Sequence, residues 1–250
     1  MIYLKNRKEL EIMKKAGQIA KFAMDEVSKN IIPGEKTASL DRIAERLIES
    51  YGAESSFKKV ENYNYTTCIT PNELIVHGVP GDYILKEGNI LGVDLGAYYN
   101  GFHSDMSTTF PVGKIAKETE RFLMVGRKAL KRAIKKVKVG NSIGDISETI
   151  QNEVESAGYF IVREFSGHGI GKDLHEDPLI PGFGKSGTGE KIQEGMVFAI
   201  EVIYSQRRST IKLLPDGWSV STSDSSLAGL FEHTVAATKK GPLVLTERLN

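Results

Sequence analysis

The stretch Asn89-Ile-Leu-Gly-Val-Asp-Leu-Gly-Ala-Tyr-Tyr-Asn-Gly-Phe-His-Ser-Asp105 reads as two strands folded back on each other. Asn100-Gly101 supplies the two positive-φ residues that a tight hairpin turn demands. With those two as the loop, Tyr99 faces Phe102, Gly96 faces Asp105 and Asp94 faces Ser107. Cross-strand partners share a sheet face, so Asp94 and Asp105 become diagonal neighbours, roughly 7 Å apart or less. Gly96 leaves space opposite Asp105. Two carboxylates this close repel unless one is protonated or a cation lies between them. Either aspartate alone reads as an ordinary strand-end or turn residue; the pair on one face reads as a metal site. Two ions about 3.5–4 Å apart, bridged by carboxylates, would satisfy both.

Two more acidic residues interrupt apolar runs. Glu201 lies inside Gly195-Met-Val-Phe-Ala-Ile-Glu-Val-Ile-Tyr204, and Glu232 inside Leu230-Phe-Glu-His-Thr-Val-Ala236. A buried, unpaired carboxylate costs several kcal/mol, against a whole-domain stability of about 5–15 kcal/mol. These carboxylates therefore need something positive to face. The segment Gly167-His-Gly-Ile-Gly-Lys-Asp-Leu-His-Glu176 adds two histidines. Glycines flank His168, which lets neighbours approach closely. His175 is too far along for one helical zinc motif, so the two histidines have separate roles. His77 sits in the turn-rich Pro71-Asn-Glu-Leu-Ile-Val-His-Gly-Val-Pro80, a segment expected to line a cleft. His103 and His233 read as ordinary packed or surface residues; alternation points His233 away from the face of Glu232.

The 250 residues, 40% of them hydrophobic, suit one large domain or two fused halves. Lys plus Arg total 33 and Asp plus Glu 32, so no overall basic field calls for nucleic acid. A single cysteine, Cys68, excludes an internal disulfide and a cysteine-based zinc module, and fits a reducing, cytoplasmic setting. The charged start Met1-Ile-Tyr-Leu-Lys-Asn-Arg-Lys8 lacks the apolar core of a signal peptide. No run approaches the ~20 apolar residues of a membrane span. Helices are expected over about 6–29, from about Leu40 to Gly52, over about 117–137, and from about Ile143 to Gly158, with strand-rich segments after each pair. The order long helix, break, short helix, strands thus occurs twice. A shift of about 106 residues superposes Gly34 on Gly140 and Gly52 on Gly158. Two pseudo-symmetric halves, about 6–111 and 117–240, would place an active site between them. Two unrelated amphipathic helix pairs would give the same pattern.

Taken in order, these segments resemble the type I methionine aminopeptidases, of the short form without an N-terminal extension. The resemblance runs from about residue 5 to 240. It rests on Cys68-Ile-Thr-Pro-Asn-Glu-Leu-Ile-Val-His-Gly-Val-Pro80, on the Asp94/Asp105 pair, and on Gly167-His-Gly-Ile-Gly with His175-Glu-x-Pro178. Gly195-Met-x-Phe-x-Ile-Glu201 and Glu232-His-Thr234 complete it. It implies an α/β pita-bread fold, an antiparallel sheet with helices on its outer face, in a single catalytic domain. It also implies the ligand set Asp94, Asp105, His168, Glu201 and Glu232 for two divalent ions. Asp105 and Glu232 would bridge them, Asp94 would hold one, and His168 with Glu201 the other. Carried over in the same way, Glu201 handles the proton, His77 and His175 contact substrate and the tetrahedral intermediate, and Tyr63, Cys68 and Trp218 surround the methionine side chain. Val202 after Glu201, Gly96 after Asp94 and Leu174 before His175 depart from the family's usual residues but leave all five ligands in place.

The implied activity is metal-dependent removal of the N-terminal methionine from nascent polypeptides by a cytoplasmic monomer. Oxygen donors with one imidazole suit Mn, Fe, Co or Zn and do not choose among them. The lysine-rich helix is compatible with a transient ribosome contact; a solvated face is its ordinary reading. An Xaa-Pro aminopeptidase or prolidase would share fold and ligands, with a large extra N-terminal domain for which this chain has no room. A metal-free binding module on the same fold would have no reason to keep all five ligands.

Overall fold

The computed structural model describes residues 2–247. Four helices, α1 (Arg7–Lys29), α2 (Thr37–Ser50), α3 (Lys117–Ile134) and α4 (Ile143–Glu155), come in two pairs. After the first pair come β1 (Glu54–Ser55), a 3-10 turn (Phe57–Lys59), β2 (Thr67–Pro71), β3 (Leu74–Val76), β4 (Ile90–Leu95), β5 (Ala97–Tyr99), β6 (Phe102–His103) and β7 (Met106–Pro111). After the second come β8 (Phe160–Ile161), β9 (Ser166–Gly169), β10 (Glu176–Pro181), β11 (Val197–Ser205), β12 (Ile211–Leu213), β13 (Val220–Thr222), β14 (Ala228–Thr238) and β15 (Gly241–Val244). Among the described residues no helix is long and apolar enough to cross a membrane.

Local chemistry sets the helix starts. The Asn6 side chain accepts from the backbone N–H of Lys8 and Glu9, and Glu9 accepts from the N–H of Asn6, a capping box that opens α1. At the start of α4 the Ser142 N–H donates to the Asp145 carboxylate at 2.7 Å. Helix ends fall a few residues short of expectation for α3 and α4. In both, turns follow the last helical residue: Val137 N–H donates to Ile134 O and Gly158 N–H to Glu155 O.

The main sheet runs β10-β9-β11-β14-β7-β4-β2, with β15 on β14 and β8 on β11. Its pairs are antiparallel. Two small sheets flank it, β1-β5-β6 and β12-β13-β3. Both helix pairs cover one face. Phe198, Ile200, Val202 and Tyr204 of β11 pack with Phe122, Ala129, Ile146 and Ile150 of α3 and α4. Leu91, Val93 and Leu95 of β4 pack with Ile19, Ala23, Leu40 and Ala44 of α1 and α2. Each Val, Leu, Ile or Phe among them contributes about 1.5–3 kcal/mol when fully buried. The Tyr204 hydroxyl keeps a partner inside the core, donating to Phe122 O at 2.6 Å. Strand alternation sends Asp94 and Glu201 to the opposite face, away from the helices.

The hairpin register holds at both ends, with Tyr99 opposite Phe102 and Asp94 opposite Ser107. Asn100 and Gly101 have φ of 46° and 88°. In between it departs from expectation. The chain leaves the main sheet at Gly96, and β5 and β6 pair in the small sheet with β1. A Cβ on Gly96 would collide with Ser104 O and lie 2.9 Å from the Ser56 Cβ. The glycine therefore makes room for backbone at a kink. It does not clear space for an ion opposite Asp105.

Candidate metal centre and active site

One row of the main sheet lays out most of the site. Across β2, β4, β7, β14 and β11 the register partners are Cys68, Asp94, Ser107, Glu232 and Glu201. Cross-strand partners share a face, so this row projects from the side away from the helices. His168 of β9 pairs with Ala199, two residues from Glu201 along β11 and therefore on the same face. Asp105 lies just before β7, two residues from Ser107.

The cluster is tight and dry. Oxygens of Asp105 and Glu232 and a ring nitrogen of His168 all lie within 4.8 Å of one another, and all three residues are buried. His168 Nε2 is 3.5 Å from Glu201 Oε1. Asp94 and Asp105 are close enough to share a hydrogen bond when one is protonated. Asp94 Oδ1, Asp105 Oδ1 and Glu232 Oε1 are buried with no hydrogen-bond partner. Orphaned oxygens of this kind are rare in folded proteins, and each leaves a desolvation cost unanswered.

Electrostatics make the same point. Burial pushes the Asp94 carboxyl up to about 7. Burial, then the charge of Asp94, raises Asp105 and Glu201 well above the usual carboxylate range. Glu232 is raised by burial and then by Asp105. Four mutually repelling acids around one imidazole fit a divalent cation, which would supply the missing positive charge and take up the orphaned oxygens. The imidazoles are in the right state for it. Burial and the neighbouring His175 hold His168 down to about 4, so it is neutral at pH 7. Its Nδ1 lies 2.8 Å from Gly169 O; as a donor there it leaves the Nε2 lone pair facing the cluster.

All ten residues expected at the site line a single cavity of about 160 Å³. Besides the five candidate ligands these are His77, His175, Tyr63, Cys68 and Trp218. His175 packs its ring on His168, centroids 4.5 Å apart. His77 has a φ of 56° and an edge-on contact with Phe165. Desolvation lowers the pKa of both His77 and His175. The far wall is apolar: Tyr63 meets Trp218 edge to face at 5.0 Å. The Trp218 turn is fixed by Asp216, which accepts from the backbone N–H of Trp218 and Ser219. His103 and His233 stand apart, hydrogen-bonded to Ser56 and Thr246.

Sequence reasoning missed several contributors. Phe57, Val60, Val76 and Leu230 complete the apolar wall; as isolated apolar residues they carry no signal before the chain is folded. Asp41 was also missed. Its Oδ1 accepts from Thr66 N, Thr67 N and Thr67 Oγ1 at 2.8–3.0 Å, which fixes the start of β2 beside Cys68. An acid on the apolar stripe of α2 was the available signal, the same one that drew attention to Glu201.

Residues 11–239 match metallopeptidase family M24. The chain is 43% identical over 246 residues to a methionine aminopeptidase of Clostridium perfringens, covering 98% of this chain and 99% of that one. It superposes on the crystal structure of a methionine aminopeptidase from Thermotoga maritima with a TM-score of 0.97 at 38% identity, over 99% of this chain and all of that one. A prolidase from Pyrococcus furiosus is also similar, with a TM-score of 0.80 at 26% identity, but this chain covers only 66% of it.

Proposed function

The chain belongs to metallopeptidase family M24, and from that premise we propose that it is a methionyl aminopeptidase, removing the N-terminal methionine of newly made polypeptides by hydrolysis of the first peptide bond. The observation that carries this reading is the juxtaposition of a carboxylate-rich candidate metal cluster with an apolar wall in one small cavity. Such a cavity takes one side chain and one chain end, not a length of peptide. The full-length likeness to methionine aminopeptidases, against a partial and more distant likeness to a prolidase, supports methionine over proline as the selected feature. The whole chain is read as one catalytic unit, its halves about 6–111 and 117–240 each contributing ligands.

Asp94, Asp105, His168, Glu201 and Glu232 would hold two divalent ions, drawn from Mn, Fe, Co or Zn. When bound, such ions polarise the scissile carbonyl and acidify water. The rest falls to the protein. Glu201, beside His168 at the end of the carboxylate row, takes a proton from the attacking water and passes it to the departing amine. His175 and His77, neutral and facing the cavity, donate to the oxygen that gains charge. Tyr63, Cys68 and Trp218 enclose the methionine side chain and exclude solvent. Asp94 lies beside the apolar wall and receives the free α-amino group, which confines cleavage to the first residue. The reading includes a cytoplasmic monomer and a transient ribosome contact through the basic face of α3.

Chelated and metal-reconstituted protein should be assayed on Met-Gly-peptide and Xaa-Pro-peptide in parallel. Reconstituted protein should cleave the first and chelated protein neither. Preferential cleavage of the Xaa-Pro peptide, or full activity in demonstrably metal-free protein, would overturn the proposal.

A further inference from the structure

His175 makes a ring contact with His168 and no hydrogen bond to any described residue. Its ring therefore sits where the chain on either side puts it. On one side Leu174 is buried among Phe57, Tyr63 and Ile170. On the other, Glu176 is held by a residue from the far end of the chain. Lys5 Nζ lies 2.5 Å from Glu176 Oε2, with only 2% of the lysine side chain and 12% of the glutamate exposed. The second oxygen, Oε1, accepts from the backbone N–H of Lys172 at 2.7 Å and Asp173 at 3.3 Å. The carboxylate thus closes its own loop while gripping the lysine.

Lys5 is itself fixed. Its N–H donates to Gly195 O at 2.8 Å, in the turn that leads into β11 and Glu201. One residue later the Asn6 capping box starts α1. Packing leaves no slack, because a Cβ on Gly171 would collide with the Lys5 stem and Glu176. Burial lowers the Lys5 pKa and Glu176 opposes that shift. Taking both charges out of water is expensive unless the geometry recovers it, and apolar partners often serve stability as well. What an apolar pair would lack is the set of directional bonds that fixes Glu176, the residue next to His175.

We propose that Lys5 is a positioning residue for the reaction: through Glu176 it sets the place of the His175 ring against His168, making the amino-terminal segment a working part of the active site. The proposal rests on the aminopeptidase reading of that site.

The test uses full-length, metal-loaded Lys5→Met, which keeps the stem and removes the ammonium, and Lys5→Met/Glu176→Gln, which leaves no buried charge unpaired. Both should lose at least about ten-fold in kcat on a methionyl peptide, as expected when a reacting group shifts by a fraction of an ångström. KM and metal content should change less than about two-fold. In a His175→Ala background neither change should reduce kcat further. The His175 ring resonances should move in both variants while those of His233 stay. Unchanged kcat, a loss that persists in full without His175, or unmoved His175 resonances would overturn the proposal. Unfolding of both variants would do so too, by assigning the pair to stability alone. If the wild-type protein fails to cleave methionyl peptides, the aminopeptidase reading falls. The His175 resonances would then still report whether Lys5 places the ring.

Discussion

Thr234 and Asp105 grip each other through one hydroxyl. Thr234 Oγ1 donates to Asp105 O at 2.7 Å and accepts from Asp105 N–H at 2.9 Å. Asp105 falls between β6 and β7, where no ladder holds its backbone. The hydroxyl replaces the missing ladder bonds and fixes a candidate bridging carboxylate to the strand that carries Glu232. Thr234→Val keeps the shape and strands two buried backbone groups, at about 1–3 kcal/mol each. Urea unfolding should show a loss of about 2–6 kcal/mol for the two groups together, metal titration should show weaker binding, and Thr234→Ser should restore both. Wild-type metal affinity in the valine variant would mean that Asp105 is held by other contacts.

The two site histidines should separate by metal content. His168→Ala removes a candidate ligand and should lower bound metal, read by elemental analysis after gel filtration. His175→Ala should keep metal near the wild-type level while turnover falls strongly. The reverse pattern would exchange the two assignments.

Glu201→Gln keeps one donor oxygen and the side-chain shape but cannot accept a proton at neutral pH. Metal affinity should fall. With metal restored to saturation, kcat should remain lower by about 10²–10⁴, the usual contribution of a general base. Recovery to near wild-type turnover would reduce Glu201 to a ligand and move the proton to another group, with His77 next in line.

Metal-free protein should show an inverted pH dependence of stability. Asp94, Asp105, Glu201 and Glu232 all have folded-state pKa values raised by burial and mutual repulsion. The fold then binds more protons than the unfolded chain, whose carboxyls titrate at about 4. The stability these groups contribute is complete below that value and is lost as pH rises through the folded values, about 7 for Asp94 and well above the usual carboxylate range for the rest. The buried histidines are held below their ordinary pKa and oppose this trend in acid, so the comparison belongs at pH 7 and above, where they are largely neutral both folded and unfolded. The urea midpoint of chelated protein should therefore be lower at pH 8 than at pH 7. The drop should be up to about 1.4 kcal/mol per pH unit for each extra proton that the fold still holds. Saturating metal should remove the trend, and Glu201→Gln should weaken it. A chelated protein more stable at pH 8 would show that the cluster is better solvated than its burial implies.

Much of this was legible in the sequence, for definite reasons. Apolar periodicity marked α1 to α4 because each buries one stripe, and Asn100-Gly101 marked the hairpin because few residue pairs make that turn. Asp94, Glu201 and Glu232 stood out as charges in runs that otherwise read as buried, Asp105 through sharing a hairpin face with Asp94, and His168 through its flanking glycines. The kink at Gly96 was not legible: whether a glycine clears space for an ion or for the Ser104 carbonyl depends on which sheet each strand joins. Lys5 and Glu176 were equally hidden, since each is an ordinary surface residue type until two segments 171 positions apart come together.

The row Cys68, Asp94, Ser107, Glu232, Glu201 exists only when five strands from distant parts of the chain have found their register. A slip of one residue between β11 and β14 would turn Glu201 or Glu232 toward the helices. Such a chain could be compact, helical and well expressed, yet it would have nowhere to put the ion. Metal occupancy in a fresh preparation is thus a census of correctly threaded molecules, taken before any substrate is added.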